Sequence, residues 1–376
     1  MKRILFVYTH EPNPTKGGIE RVTSILMNKL QERGYECSFL LLKSGEFHRD
    51  CFIYENQKVK DLHEFLIKHR FDVIINQCYY SGFTQKYKSC KLSNIKYVTC
   101  YHDAPGSLLI GLKHRLANSK SFFRRCLTLI YPIYRCYSAY KNRIDLKINF
   151  MESDKFVLLS KRFADSLYTE LGIKSSNKIC AIANPLSFDL QPISKMEHKE
   201  NIALVVARLE ESQKRISESL YIWQMFCKTK YAIGWKLYIL GEGSDRSKYE
   251  NLASSLGISN SVVFTGRTNP VPYYEKAKTF FMTSSHEGWG LTLTECMQFG
   301  VIPIAYNTYA SINDIIINGE TGFLIPDKCR HLFLERLISL VSSTEDYHNM
   351  SSKCRKHVES FSQDKIMDNW ELIINE

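Results

Sequence analysis

Residues 280–295 read FFMTSSHEGWGLTLTE, and the fold is decided by how this stretch is parsed. Residues 280–283 have the length and apolar character of a buried strand. Gly288 and Gly290 break that pattern, and from Leu291 apolar residues return at helical spacing as far as Phe299. A glycine turn between strand and helix places backbone amides and a helix N-terminus at the carboxyl end of a parallel strand. Open α/β sheets bind their ligands there. Glu287 and Glu295 flank the turn, one in the loop and one a turn inside the helix. Such a pair accepts hydrogen bonds from sugar hydroxyls while the amides between them face a phosphate. For either glutamate alone, a solvated side chain beside a helix start is an equal alternative.

Outward from this segment, strand-like and helix-like stretches alternate, which predicts parallel sheets covered by helices. Strands are expected at 3–9, 37–42, 72–76, 97–101, 156–159 and 179–183. The first is followed by a loop at 11–18 holding Gly17-Gly18. A helix follows through Ile19, Val22, Ile25, Leu26 and Leu30, closed by Gly34. After a charged, proline-containing passage at 184–200 the pattern restarts. It gives strands at 202–207, 236–240, 261–264, 280–283 and 302–305, with helices at 216–227, 248–256, 273–278 and 291–299. The expected fold is α/β with two successive units, an N-terminal domain at 1–190 and a C-terminal domain at 191–361. The last stretch, 362–376, is an amphipathic helix striped by Ile366, Trp370, Ile373 and Ile374. That stripe needs cover, from the second domain's own core or by packing back on the N-terminal domain.

Bulk properties set limits. At 376 residues, 44% hydrophobic and 24% charged, the chain has apolar material for two cores. The apolar run after Lys2 and Arg3 is too short for a signal peptide. The stretch 126–140 is interrupted by Pro132 and Arg135 and falls short of the roughly 20 residues a spanning helix needs. The expectation is a cytoplasmic protein. The 12 cysteines include no Cys-x-x-Cys pair, and those in strand-like runs (Cys37, Cys100, Cys180) read as reduced core residues. The net charge of +11 suits nucleic acid, anionic lipid or phosphorylated substrates alike, so its distribution must decide.

Residues 111–147 concentrate that charge: Lys113, Arg115, Lys120, Arg124, Arg125, Arg135, Lys141, Arg143 and Lys147 against Asp145 alone. Phe122, Phe123, Leu127, Leu129, Ile130, Tyr131, Ile133, Tyr134 and Tyr137 are interleaved with them. A solvated helix face over a buried aromatic one is the plain reading. The high apolar content favours an anionic membrane surface over nucleic acid, and no nucleic-acid partner is expected.

The Glu287-x7-Glu295 spacing, with Ser284, Ser285, Gly300, Pro303 and the run 319–324 (GETGFL), is similar to family 4 of the retaining glycosyltransferases. In the first half, Gly17-Gly18-Ile19-Glu20-Arg21-Val22 resembles the same family's glycine loop. The resemblance covers nearly the whole chain, although 105–150 matches nothing. It implies a GT-B fold, two Rossmann-like domains with parallel sheets facing an interdomain cleft. The implied activity moves a sugar from a UDP- or GDP-sugar to a saccharide or lipid-linked saccharide in surface-polysaccharide or lipopolysaccharide synthesis, and the segment 111–147 would seat it on the inner face of the cell membrane. By the same resemblance Glu287 contacts the donor sugar and Glu295 the ribose. Gly288, Trp289, Gly290 and Leu291 offer main-chain amides, and Arg208 and Lys214 hold the diphosphate. Gly17 and Gly18 approach the phosphate, and His102 lies near the reacting carbon. Two positions depart from the pattern: Arg215 stands where the family has glycine, and Tyr306-Asn307-Thr308-Tyr309-Ala310 replaces a glycine-containing loop.

In such a reaction the departing diphosphate gains negative charge that must be stabilised. A metal held by Asp-x-Asp is one device, and no Asp-x-Asp occurs in the sequence. Cationic side chains, glycine-loop amides and helix N-termini remain, so neither metal nor cofactor is expected. Other classes fit less well. Gly241-Glu242-Gly243 has Arg246, and Gly288-Trp289-Gly290 has Leu293, where a dinucleotide fingerprint needs its third glycine. A sugar-nucleotide epimerase of the same fold and a non-catalytic nucleotide-sugar-binding protein remain as alternatives.

Overall fold

The structure is a computed structural model and describes residues 1–43, 51–78, 81–117, 119, 121–190 and 199–376, without the side chains of 81, 114 and 115. The chain divides into two compact units, Met1–Ser187 with Gln363–Glu376, and Phe188–Ser362.

The first unit is built on β1 (Arg3–Tyr8), β2 (Glu36–Lys43), β3 (Cys51–Tyr54), β4 (Gln57–Val59), β5 (Val73–Asn76), β6 (Lys96–Tyr101), β7 (Lys155–Leu158) and β8 (Ile179–Ala181). They lie in the order β4-β3-β2-β1-β5-β6-β7-β8. From β2 across to β8 every pairing is parallel. Ile4 to Val7 are wholly buried, as a strand covered on both faces by helices requires. The antiparallel β3–β4 hairpin was not anticipated. Its turn is Glu55-Asn56, both at positive φ (47° and 63°), the conformation of a type I′ turn. Asn-Gly or Asp-Gly would have announced it; Glu-Asn does not. The strand order reverses between β1 and β5, so the loops after these strands open a crevice on one edge of the sheet.

The helix Gly18–Glu32 buries Val22, Leu26 and Leu30. It ends as expected at Gly34 (φ 89°), where the Tyr35 amide turns back to the Leu30 carbonyl at 3.0 Å. The C-terminal helix Gln363–Asn375 belongs to this unit and buries Ile366, Met367, Trp370, Ile373 and Ile374 against it. Arg33 donates to Asp368 (2.7 Å) and Glu371 (2.5 Å). Lys2 and Lys96 donate to the carbonyls of Ile374 (2.7 Å) and Ile373 (2.6 Å), cations set at the negative end of the helix dipole.

The second unit is a wholly parallel sheet of β9 (Ile202–Val206), β10 (Lys236–Leu240), β11 (Val262–Gly266), β12 (Thr279–Met282), β13 (Ile302–Tyr306) and β14 (Phe323–Ile325). Its order is β11-β10-β9-β12-β13-β14, with the reversal between β9 and β12. Trp223, Phe226, Phe281 and Phe333 pack ring against ring on one face. The glycines of Gly241-Glu242-Gly243 have a structural reason. A Cβ at Gly241 would fall 1.9 Å from the Ala207 carbonyl oxygen and one at Gly243 2.2 Å from that of Leu209. The two loops run in contact, with the Leu209 amide on the Glu242 carbonyl at 2.9 Å.

Trp370→Ala should destabilise the first unit by about 3–5 kcal/mol, the usual result of emptying a buried indole site. Arg33→Ala, whose partners are mostly exposed, should cost less than about 1 kcal/mol. Urea unfolding of both variants checks the order, and equal effects would mean the helix is held by charge rather than by its stripe.

Candidate active site

At the carboxyl ends of β9 and β12, where the strand order reverses, two loops meet. One runs after β9 through the short helix Glu211–Lys214; the other runs after β12 into the helix Leu291–Gln298. They are stitched together by backbone, the Ser285 amide donating to the Gln213 carbonyl at 2.7 Å. The Thr283 hydroxyl adds bonds to the carbonyls of Lys214 and Arg215 (3.1 and 3.0 Å). On this frame Lys214 Nζ lies 2.5 Å from Glu287 Oε1. Ser284 Oγ donates to the same oxygen at 2.7 Å, and Gln213 Nε2 reaches Oε2 at 3.4 Å. The pair is largely withdrawn from solvent, with side-chain exposures of 18% for Lys214 and 10% for Glu287, so its attraction is little screened. Beside it lies a cavity of about 20 Å3 lined by Ala207, Lys214, Thr283, Ser284, Glu287 and Thr292.

The glycine turn follows directly. Gly290 takes φ 98°, a conformation glycine adopts without strain, and leads into the helix Leu291–Gln298. A Cβ there would also meet the Tyr309 hydroxyl at 2.8 Å. The Trp289 ring is buried edge-on against Phe361 at 5.2 Å, so the tryptophan anchors the turn while its main chain stays at the site.

Both departures from the family pattern are structural parts of this site. Arg215 sits in the left-handed region (φ 46°, ψ 49°), where a glycine would be unstrained. Its guanidinium donates to the carbonyls of Thr283 (2.9 Å) and Ser284 (3.1 Å) and pairs with Asp327 at 2.8 Å. Sequence reasoning marked this position only as an exception. The loop 306–310 closes from the other side. Thr308 Oγ1 donates to the Ser284 carbonyl at 2.7 Å, and the Tyr309 hydroxyl to Met282 Sδ at 3.0 Å. Ser311 Oγ holds the Gly288 carbonyl at 2.9 Å. Without glycine, this loop braces the motif instead of giving way to a ligand.

Arg208 is open to solvent, bound to Glu210 (3.2 Å) and Gln213 (3.0 Å), and reaches Glu287 only through that glutamine. Glu295 lies one turn inside the helix, is buried, and accepts from the Tyr274 hydroxyl at 3.0 Å. In the first unit, Gly17 precedes the helix beginning at Gly18, and the carboxylate of Glu20 folds over it. His102, after β6, bonds through Nε2 to Gln77 Oε1 at 2.5 Å. Its partner is therefore the glutamine following β5. Bonded to that oxygen, the neutral ring carries its proton on Nε2 and leaves Nδ1 buried without a protein partner among the described residues. Burial pushes the imidazole pKa down to about 4. Among the described residues no three His, Cys, Asp or Glu side chains cluster as a metal site would need.

Two α/β units on largely parallel sheets, the second carrying a cation–carboxylate pair and a glycine turn at its switch point, give the chain the GT-B fold. Residues 188–357 match the model of the family described as Glycosyl transferases group 1, and the chain is a glycosyltransferase. A Haemophilus influenzae protein described as an uncharacterized glycosyltransferase is 27% identical over 366 residues, 95% of this chain and 96% of the relative. A Campylobacter jejuni protein is 26% identical over 380 residues, 96% of this chain and 95% of its own. It is named GalNAc-alpha-(1->4)-GalNAc-alpha-(1->3)-diNAcBac-PP-undecaprenol alpha-1,4-N-acetyl-D-galactosaminyltransferase. Among solved structures, a point mutant of S. aureus TarM in complex with Fondaparinux, alpha-GlcNAc-glycerol and UDP superposes with a TM-score of 0.73. It shares 13% identity, and 100% of both chains is covered.

Arg215→Gly removes the clamp on two carbonyls while giving the backbone the residue its conformation favours. Stability should change by less than about 1 kcal/mol, since lost hydrogen bonds and relieved strain oppose each other. Turnover should fall roughly tenfold or more as Lys214 and Glu287 lose alignment. Unchanged turnover would show that the clamp is dispensable.

His102 supplies a pH test. A histidine whose folded pKa lies below its unfolded value opposes protonation. Its contribution to stability is therefore complete above the ordinary imidazole pKa and is lost as pH falls towards 4. Its ring resonances in NMR should stay those of a neutral imidazole through about pH 5; titration near 6.5 would contradict the buried placement.

Proposed function

We propose that this enzyme moves a sugar from a UDP- or GDP-sugar to a saccharide or lipid-linked saccharide during assembly of cell-surface polysaccharide or lipopolysaccharide. The work is done in the cytoplasm, at the inner face of the cell membrane, with peripheral contact through residues 111–147. The observation that carries the catalytic part is the Lys214–Glu287 pair beside the glycine turn at the ends of β9 and β12. In the unliganded protein the carboxylate satisfies the lysine. With donor bound, Lys214 and the more open Arg208 turn to the diphosphate, and Glu287 is released to the hydroxyls of the transferred sugar. The amides of Gly288, Trp289, Gly290 and Leu291 add the partial positive charge of a helix N-terminus. Glu295, fixed by Tyr274, serves the ribose from inside the helix.

The acceptor falls to the first domain, 1–190, and the donor to 191–361. Gly17 and Gly18 lie along the phosphate, and His102 near the reacting carbon. A neutral His102, held by Gln77, offers a hydrogen-bonding group at that carbon without adding charge. Chemistry proceeds by front-side displacement. The bond between the anomeric carbon and the phosphate oxygen breaks, its electrons passing to the diphosphate. The acceptor oxygen bonds to the same face, and its proton passes to the departing phosphate. The anomeric configuration is kept, no separate base is needed, and no metal is required once the cations have neutralised the leaving group. The Campylobacter relative's name, with its undecaprenol-linked substrate, supports a lipid-linked acceptor. The UDP in the TarM complex favours a uridine donor.

Glu287→Ala and Lys214→Ala should each lower turnover by about 10²–10³-fold, the usual cost of losing a group that stabilises charge in the transition state. Circular dichroism should report an intact fold in both. Turnover near wild type in the two variants would remove the site from consideration.

A further inference from the structure

The segment 111–147 carries more than positive charge. The short helix Phe122–Cys126 presents Phe122 and Phe123 to solvent, each 74% exposed, and the turn after it presents Leu129 at 84%. The long helix Tyr131–Glu152 then exposes Ile133 (71%), Tyr137 (58%), Tyr140 (67%), Ile144 (38%) and Met151 (68%). At about 100° per residue these five positions fall within an arc of roughly 60°. Lys141 and Arg143 lie about 80° to either side of its middle and Lys147 about 50° away, by the same geometry. Asp145, Leu146 and Asn149 face the body of the unit and are buried. The single acid of the segment is thus withdrawn from the surface, which is left cationic and apolar. Two cations lie near aromatic rings: Arg125 by Phe122 (6.0 Å) and Lys113 by Tyr131 (5.7 Å). Lys120 and the side chain of Arg115 lie outside the described residues.

A run of large apolar side chains at these exposures is unusual on a water-facing surface. An apolar stripe flanked by lysine and arginine has the form of a helix lying in a membrane interface. The stripe enters the acyl boundary there, and the long basic side chains extend to the headgroups. Among the described residues no helix is long and apolar enough to cross a membrane.

We infer that the ridge formed by Phe122, Phe123, Leu129, Ile133, Tyr137 and Tyr140 inserts into the acyl boundary of an anionic bilayer, so that the membrane is held by burial of apolar side chains as well as by charge. This rests on the peripheral contact proposed above and adds its mode. Charge alone gives binding that salt abolishes; insertion gives a component that salt leaves in place.

The test uses the full chain and vesicles of phosphatidylcholine, with or without phosphatidylglycerol. The four tryptophans, Trp223, Trp235, Trp289 and Trp370, are all buried, so a tryptophan placed on the ridge supplies the signal accessible to lipid. The Tyr137→Trp variant should be quenched by brominated lipid in anionic vesicles. The triple variant Ile133→Ser, Tyr137→Ser, Tyr140→Ser should lose at least tenfold in vesicle partitioning at both low and high salt. Arg124→Glu with Arg125→Glu should lose mainly at low salt. Donor turnover with a water-soluble acceptor should be unchanged in the triple variant, which keeps this outcome separate from the catalytic proposal. Flotation without quenching would overturn insertion while leaving the electrostatic contact. No flotation of the wild type would overturn both. Sedimentation as a dimer that the triple variant dissolves would overturn insertion and assign the ridge to a second copy of the chain.

Discussion

The short contact between Lys214 and Glu287 is the constraint around which the second unit is arranged. An ammonium and a carboxylate withdrawn from water must stay paired, because separating them leaves an uncompensated charge at high cost. The chain meets that condition by stitching the loop after β9 to the loop after β12, Ser285 to Gln213 and Thr283 to Lys214 and Arg215. The pair therefore forms at the switch point of the sheet, where a ligand can replace each partner's counter-charge. In the proposed reaction a diphosphate satisfies the lysine and sugar hydroxyls satisfy the carboxylate. On that proposal each partner holds the place of a donor group, and the geometry is prepared before the donor arrives.

The same constraint accounts for the two departures from the family pattern. Left-handed backbone disfavours arginine by roughly 1–2 kcal/mol relative to glycine. Arg215 offsets this with charge-assisted bonds to the carbonyls of Thr283 and Ser284 and with its contact to Asp327. Thr308 and Tyr309 hold the same strand end from the opposite side. A glycine-containing loop would leave room there; this sequence fills the room and fixes the turn. Under the proposed chemistry this rigidity matters, because a misplaced cation stabilises a departing phosphate poorly.

The strands and helices that build the two sheets were legible because buried parallel strands and amphipathic helices write their periods into the sequence. The segments at 216–227 and 236–240 coincide with the observed helix and strand. The β3–β4 hairpin was not, because a type I′ turn made by Glu55-Asn56 lacks the glycine that usually marks one. Gly241 and Gly243 had a visible spacing but an unreadable cause, a backbone approach to residues 207–209 that exists only once the sheet has formed. Glu287 and Lys214 stood out through their motif. Gln77 as the partner of His102, Tyr274 as the partner of Glu295 and the clamp by Arg215 were invisible, since each joins residues brought together by strand order and not by spacing. The exposure of the ridge at 122–140 was equally hidden. The same residues could have been a core face, and only the packing of Asp145, Leu146 and Asn149 inward shows which side faces water.

The account turns on side-chain cations and backbone amides, without a bound metal ion, taking up the charge that grows on the departing nucleotide. Sugar transfer by chelator-treated protein measures this most directly. The account predicts the full wild-type rate in excess EDTA, unchanged when magnesium or manganese is supplied. A rate abolished by the chelator and restored by either ion would contradict it.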